Sequence, residues 1–382
     1  METKERLMKN LNKLLSLVIC FVFTKVAFAE MSLSGYQEFF AGSADQSTLT
    51  GTTNHGIDNA GFHNGTYSRI TAGYSSSLDS GIEISGTMNI VNRDCQGDKT
   101  DNCNVTNNNF VTFSGGFGSV SVGERFDAGA AMLSRLTASG PTAEPDGGNY
   151  KTFITLDGSN KYGNANETHY AENSMKIFYA SNVFNGFSFA TSYAPNVTNT
   201  GLANTANGQP TATGDFAEWS SMNDVTQFFG KYAMEMDGIG LEIVYGMTSG
   251  NAGQIAGNNY NDLDETAYSA KLTYGSFAAD YRKNDSGNSG YVKGGQAGNN
   301  EGTSICGEYS FGNARAMACQ METSFTDANN RENTSDTMTY AADYALGGGV
   351  TVGLLYFDVE ETANDQIQTD ADGIMTMLSI GF

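Results

Sequence analysis

Residues 174–193 read SMKIFYASNVFNGFSFATSY, two runs of period two on either side of Asn185-Gly186. Before the turn Met175, Ile177 and Tyr179 alternate with Lys176 and Ala180. After it Phe187, Phe189, Thr191 and Tyr193 alternate with Ser188, Ala190 and Ser192. Alternation on both sides of a short Asn-Gly turn predicts an antiparallel hairpin. One face is aromatic and aliphatic, the other small and polar, and aromatics near strand ends suit a lipid interface. A soluble sandwich also alternates, so the decision rests on how the pattern repeats.

It repeats along the whole chain as 16 segments, the first over residues 32–40, the fifth over 119–127 and the last over 373–382. Each has about the length that a tilted strand needs to cross a bilayer. The connections alternate strictly between short and long. Short ones, such as Phe117-Gly118, Asn185-Gly186, Asp237-Gly238 and Gly312-Asn313, carry turn residues. Long ones include residues 128–173, the longest, and 359–372, the eighth and last. Seven short against eight long is the count for strands that zigzag with both chain ends on the side of the tight turns. A sandwich has no reason to keep that parity. The fold expected is all-β, a 16-stranded antiparallel transmembrane barrel with short periplasmic turns and long extracellular loops.

Residues 1–29 read differently. A basic start through Lys13, an apolar run over residues 14–23 and Ala27-Phe28-Ala29 match a secretory signal peptide cut after Ala29, leaving the barrel over 30–382. Lys25 is unusual near such a site, and residues 1–7 suit an upstream extension from a misplaced start. The run is shorter than the roughly 20 residues a membrane-spanning helix needs. Removing the signal leaves 15 Lys plus Arg against 40 Asp plus Glu, a formal charge of −25. Such a surface repels phosphate backbones, which argues against a nucleic-acid partner.

With these segments in place, the chain resembles the general diffusion porins of Gram-negative bacteria, in particular the Gly-rich alphaproteobacterial kind. The phrase YASNVFNGFSFATSYAP, the segment GERFDAG leading into the third long loop, and the final strand IMTMLSIGF ending on Phe382 carry the likeness. The resemblance implies a homotrimer in the outer membrane, each barrel with its own water-filled pore, narrowed where the third loop folds inward. The partners expected are outer-membrane lipid and, bridged through divalent cations by the acidic loops, lipopolysaccharide.

In the second strand Arg69, Thr71 and Gly73 oppose Ile70, Ala72 and Tyr74, and in the third Arg93 shares a face with Glu83 and Asn89. The charged set belongs in the lumen, because Arg or Lys facing lipid at the midplane costs roughly 2–4 kcal/mol. The third loop opens with an Ala- and Leu-rich stretch from Asp127 to Leu136 suited to a short helix. Folded inward, it would set carboxylates from Asp127, Glu144, Asp146 and Asp157 against Arg69, Arg93, Arg125 and Lys176 on the wall. Opposed charges across a narrow bore make a transverse field that filters ions and orders dipolar solutes. Against this, any single luminal charge serves equally well to wet the wall.

Four cysteines remain in the exported chain, which allows three pairings. Cys95 and Cys103 bracket one loop, and Cys306 and Cys319 straddle Gly312-Asn313 symmetrically, so two local bridges are expected. In a two-residue hairpin the second pair sits directly opposite, where side chains approach most closely. No CxxC occurs, and His55, His63 and His169 fall in predicted loops. Acidic loop residues, among them Asp98, Asp101, Asp262, Asp264, Glu265, Asp358, Glu360, Glu361, Asp365, Asp370 and Asp372, suit Ca2+ or Mg2+. A solvated acidic exterior explains them at least as well, and no other cofactor is implied.

The chain contains no G-x-S-x-G elbow, P-loop or H-E-x-x-H, so no enzymatic activity is expected. The expected function is passive diffusion of small hydrophilic solutes and ions, with a lean toward cations from the net charge. Two alternatives stay open: a solute-specific porin, and an adhesin or structural barrel with a closed pore.

Overall fold

The computed structural model describes residues 30–48, 62–93, 106–136, 153–154, 174–197, 212–213, 216–217, 222–255, 257–363 and 366–382. Sixteen strands follow one another in chain order round a closed barrel. They begin with β1 (Glu30–Thr48), β2 (His63–Ser77), β3 (Glu83–Arg93), β4 (Thr106–Gly115) and β5 (Gly118–Glu124). A short helix, α1 (Ala128–Met132), precedes β6 (Met175–Ala180), β7 (Phe187–Asn196), β8 (Asn223–Met236), β9 (Ile239–Asn251) and β10 (Leu263–Tyr274). The last six are β11 (Phe277–Gly287), β12 (Gly298–Phe311), β13 (Ala314–Thr326), β14 (Glu332–Gly347), β15 (Val350–Ala363) and β16 (Gln366–Gly381).

Closure comes from β1 pairing antiparallel with β16, Gln37 opposite Ile380. Beyond the ladder, the Gly35 N–H donates to the Phe382 carbonyl at 3.0 Å and the Phe382 N–H returns to Gly35 at 2.9 Å. Among the described residues the barrel sheet has no unpaired edge, which is the condition for a sheet to sit in hydrocarbon.

The Asn185-Gly186 turn has both central φ angles positive, 49° and 86°, the type I′ geometry whose twist matches its strands. Around it the two faces separate as the alternation predicts: Ile177, Phe187, Phe189 and Tyr193 lie exposed outside, while Lys176, Phe178, Ala190 and Ser192 are buried inside. Glycine lets large rings lie flat on the inner wall. Phe229 faces Gly246 across the β8–β9 ladder, and Phe357 faces Gly373 across β15–β16. A Cβ on Gly246 would come within 2.2 Å of the Phe229 ring.

Several boundaries differ from the sequence reading. The fifth strand stops at Glu124 rather than residue 127, because Asp127 turns the chain into α1. The expected loop over 359–372 is mostly ladder: Val359 pairs with Ala371 and Glu360 with Asp370. Asp264, Glu265, Asp358, Glu360, Glu361, Asp370 and Asp372 are therefore strand residues. His63 is the first residue of β2 rather than a loop residue. Strongly polar residues masked the period of two at these strand ends, which reach beyond the apolar belt.

Cys306 and Cys319 are register partners in β12 and β13 and form a disulfide, Cα atoms 4.1 Å apart. Cys95, Cys103 and residues 1–29 lie outside the described residues. Inside the barrel, the wall from β12 through β16 to β1 carries an apolar band, with Ser304, Thr323, Thr337, Thr339 and Glu361 on the same face. Phe40, Cys306, Met317, Cys319, Leu355, Phe357, Met375 and Met377 form one buried cluster with Leu136, Phe153 and Ile154 of the third connection.

Candidate functional site

The third connection enters the bore immediately after β5. Gly123 sits at φ 137°, where a Cβ would fall 2.4 Å from the Asn109 carbonyl; a side chain here would push β5 off β4. Four residues later the Asp127 side chain caps α1, accepting from Ala130 N–H at 3.0 Å, a favourable place for a carboxylate. Gln227 of β8 clamps this helix start from the opposite side. It accepts from Gly129 N–H at 2.8 Å and donates to the second Asp127 oxygen at 3.2 Å. Ser192 Oγ accepts from Ala128 N–H at 3.2 Å.

Past the helix the chain remains on the wall. Ser134 N–H donates to Ser269 Oγ at 2.9 Å, and Ser134 Oγ donates to Glu242 at 2.7 Å. Leu136 N–H donates to the Asp280 carboxylate. Glu242 is also paired with Lys231 at 3.3 Å. Ala128 and Met132 pack on Phe178, Ala190, Phe229, Val244 and Ala267. The bore is thus crossed by a segment held by polar contacts on β7–β11 and by apolar ones on β12–β16 and β1.

At the root of the same connection, Arg125 lies over two rings, its guanidinium carbon 3.6 Å from the Phe178 centroid and 5.0 Å from that of Phe110. It donates to Ser121 Oγ at 2.7 Å and to the Phe126 carbonyl at 3.2 Å. Cation–π contact with two rings fixes the group while leaving its charge in place. Arg69 stands over Tyr36 at 5.4 Å and donates to the Tyr67 hydroxyl at 3.1 Å. Arg93 is opposite Tyr67 in the β2–β3 ladder, so its backbone register places it on the inner face.

The other expected site residues take different places. Lys176 is buried, donating to the carbonyls of Ser174 and Arg125, and Asp127 is buried as the helix cap. Both hold the loop's root. Glu144, Asp146 and Asp157 lie outside the described residues. The sequence reading missed Gln227, Glu242 and Asp280. Their place on the inner face follows from alternation, since Gln227 shares a parity with Phe229 and Lys231, but nothing in the sequence tells that a loop far away binds them.

Among the described residues, no group of three or more His, Cys, Asp or Glu side chains is arranged to hold a metal ion. Much of the acidity lies on the outer face at the long-connection end. Glu322, Asp336, Glu360 and Asp370 are successive register partners across β13–β16, beside Asp45, Asp372 and Asp358.

An apolar belt outside, a largely polar bore and a connection turned into that bore define an outer-membrane diffusion channel. The chain belongs to the Gram-negative porin family, whose model matches residues 15–367. No curated protein sequence matches it. Its fold is similar to OmpF of Salmonella typhi, solved with daunomycin, at TM-score 0.62 and 14% identity over 93% of this chain and 98% of that one. It is similar to an anion-selective porin from Comamonas acidovorans at 0.59 and 12%, over 93% and 100%. The trimer form of OmpT from Vibrio cholerae gives 0.59 and 10%, over 93% and 99%.

Proposed function

We propose that the protein is a homotrimeric general porin, cut after Ala29 on export, that passes small hydrophilic solutes through a bore limited by the third connection. The observation that carries this is the loop segment turned into the bore and pinned there by Gln227, Glu242, Ser269 and Asp280. Hydrogen bonds to β8, β9, β10 and β11 hold that segment against the inner wall, so the part of the chain that limits the bore is fixed in place.

The cation lean anticipated from net charge has a narrower basis than that charge suggests. On the inner wall Lys231 is matched by Glu242, and Arg315 by Asp343 at 2.8 Å, while the rows of carboxylates stand outside the bore. Selectivity for cations would then arise at the acidic mouth and fade with salt, since the Debye length shrinks from about 10 Å at 0.1 M to 3 Å at 1 M. Planar-bilayer recording tests both parts. Stepwise conductance with a small cation-biased reversal potential that declines with ionic strength is expected. Silence from folded trimer removes the pore reading, and an anion-biased potential removes the cation lean.

A further inference from the structure

A groove on the outer face has no part in the bore. One row across β10–β14 runs Leu272, Ala279, Gly307, Ala318, Tyr340, each the register partner of the next. The adjacent row toward the tight turns holds Phe277, Tyr309 and Ala316. Small residues make a floor, and Leu272, Phe277, Tyr309 and Tyr340 make the rim of a space of about 580 Å³. A Cβ on Gly307 would meet nothing within 4 Å, unlike Gly246, which a ring already covers. The floor is therefore open.

Position identifies the occupant. Gly307 lies four residues before the end of β12, about 9 Å above the turn for a strand rising ~3.3 Å per residue and tilted ~45°. That is within the apolar belt, in its periplasmic half. The rim is exposed: Phe277 is 61% accessible and Leu272 and Tyr340 are each 48% accessible. Glu308, which borders the groove through the wall, accepts from Arg315 on the inner face at 3.5 Å. Water in such a space lacks polar partners, and an empty one forfeits dispersion contacts along its whole lining. A flexible hydrocarbon chain supplies those contacts, and the groove continues the belt already facing lipid.

We propose that this groove seats one acyl chain of a phospholipid from the periplasmic leaflet. The inference rests on the outer-membrane placement of the barrel but not on what the bore conducts, so the two fail separately. The test is photolabelling of the trimer in bilayers containing a phospholipid with a diazirine in its acyl chain, with adducts mapped by mass spectrometry. Adducts on β11–β13 should exceed those on the outer face of β2–β3 at least fivefold. Gly307→Leu and Ala318→Leu, which fill the floor from outside, should each remove that excess while single-channel conductance stays unchanged, which also certifies folding. Labelling of β11–β13 equal to or below that of β2–β3 in the unaltered protein overturns the proposal, the lower value being the result if a second copy covers the patch. Labelling that persists in both filled variants overturns it as well.

Discussion

The ring of Phe153 meets the ring of Phe40 edge-on, centroids 6.1 Å apart and planes at 77°. One belongs to the third connection and the other to β1, so the connection reaches across the bore to an apolar wall. Phe40→Ala or Phe153→Ala removes that contact and leaves a cavity in the cluster around Leu355 and Met377, a loss of about 3 kcal/mol for a buried Phe. The barrel ladder is untouched, so the weakened part is the loop. Larger single-channel conductance and more open-channel noise are expected for both variants, and identical traces would contradict the docking.

Arg125 should set part of the ion preference. A unit charge about 6 Å from a permeating ion in water contributes about 0.7 kcal/mol, roughly threefold in local ion concentration. Arg125→Ala should shift the reversal potential toward cations by a comparable permeability ratio. Because the group is held by Phe178 and Phe110, Phe178→Leu should lower single-channel uniformity and move the potential less. A potential unchanged in Arg125→Ala would make the residue a wall-wetting group only.

The barrel was legible from alternation and connection parity because closure forces both. All sixteen expected strands are present, and Cys306–Cys319 followed from symmetry about Gly312-Asn313. What alternation could not show is which inner-face groups meet the loop. Gln227 reads as an ordinary wetting residue, and only the folded chain puts Asp127 and Gly129 beside it. Net charge has the same limit, since sequence counts Glu322, Asp336, Glu360 and Asp370 without telling that they stand outside the bore in one row.

The disulfide should matter more for robustness than for conduction. Its closed loop spans 13 positions, and chain entropy alone would allow about 3 kcal/mol for a loop of this size. The ladder and tight turn already close the same loop, so the gain should be smaller. Cys306→Ser with Cys319→Ser is expected to lower the urea midpoint for loss of the folded trimer with conductance nearly unchanged. An unaltered midpoint would show that the bridge adds nothing to the hairpin.

The connection between β13 and β14 should respond to acid. Partial burial pushes the Asp327 carboxyl up, but hydrogen bonds from the backbone and guanidinium of Arg331 and from Asn329 outweigh it, holding the group below its ordinary value of 3.8. The Arg331 N–H donates at 2.9 Å and its Nη2 at 2.9 Å, and the Asn329 N–H at 2.8 Å. A carboxyl depressed on folding stabilises the turn fully above its unfolded value and loses that contribution as pH falls through the lower folded one. Hydrogen-exchange protection at Asn329 and Arg331 should therefore be constant near neutrality and decline below about pH 4, near the unfolded Asp value. Asp327→Asn keeps an acceptor oxygen without the charge, so its protection should already be lower at pH 7 and no longer vary with acid; a wild-type profile in that variant would remove the ionic explanation.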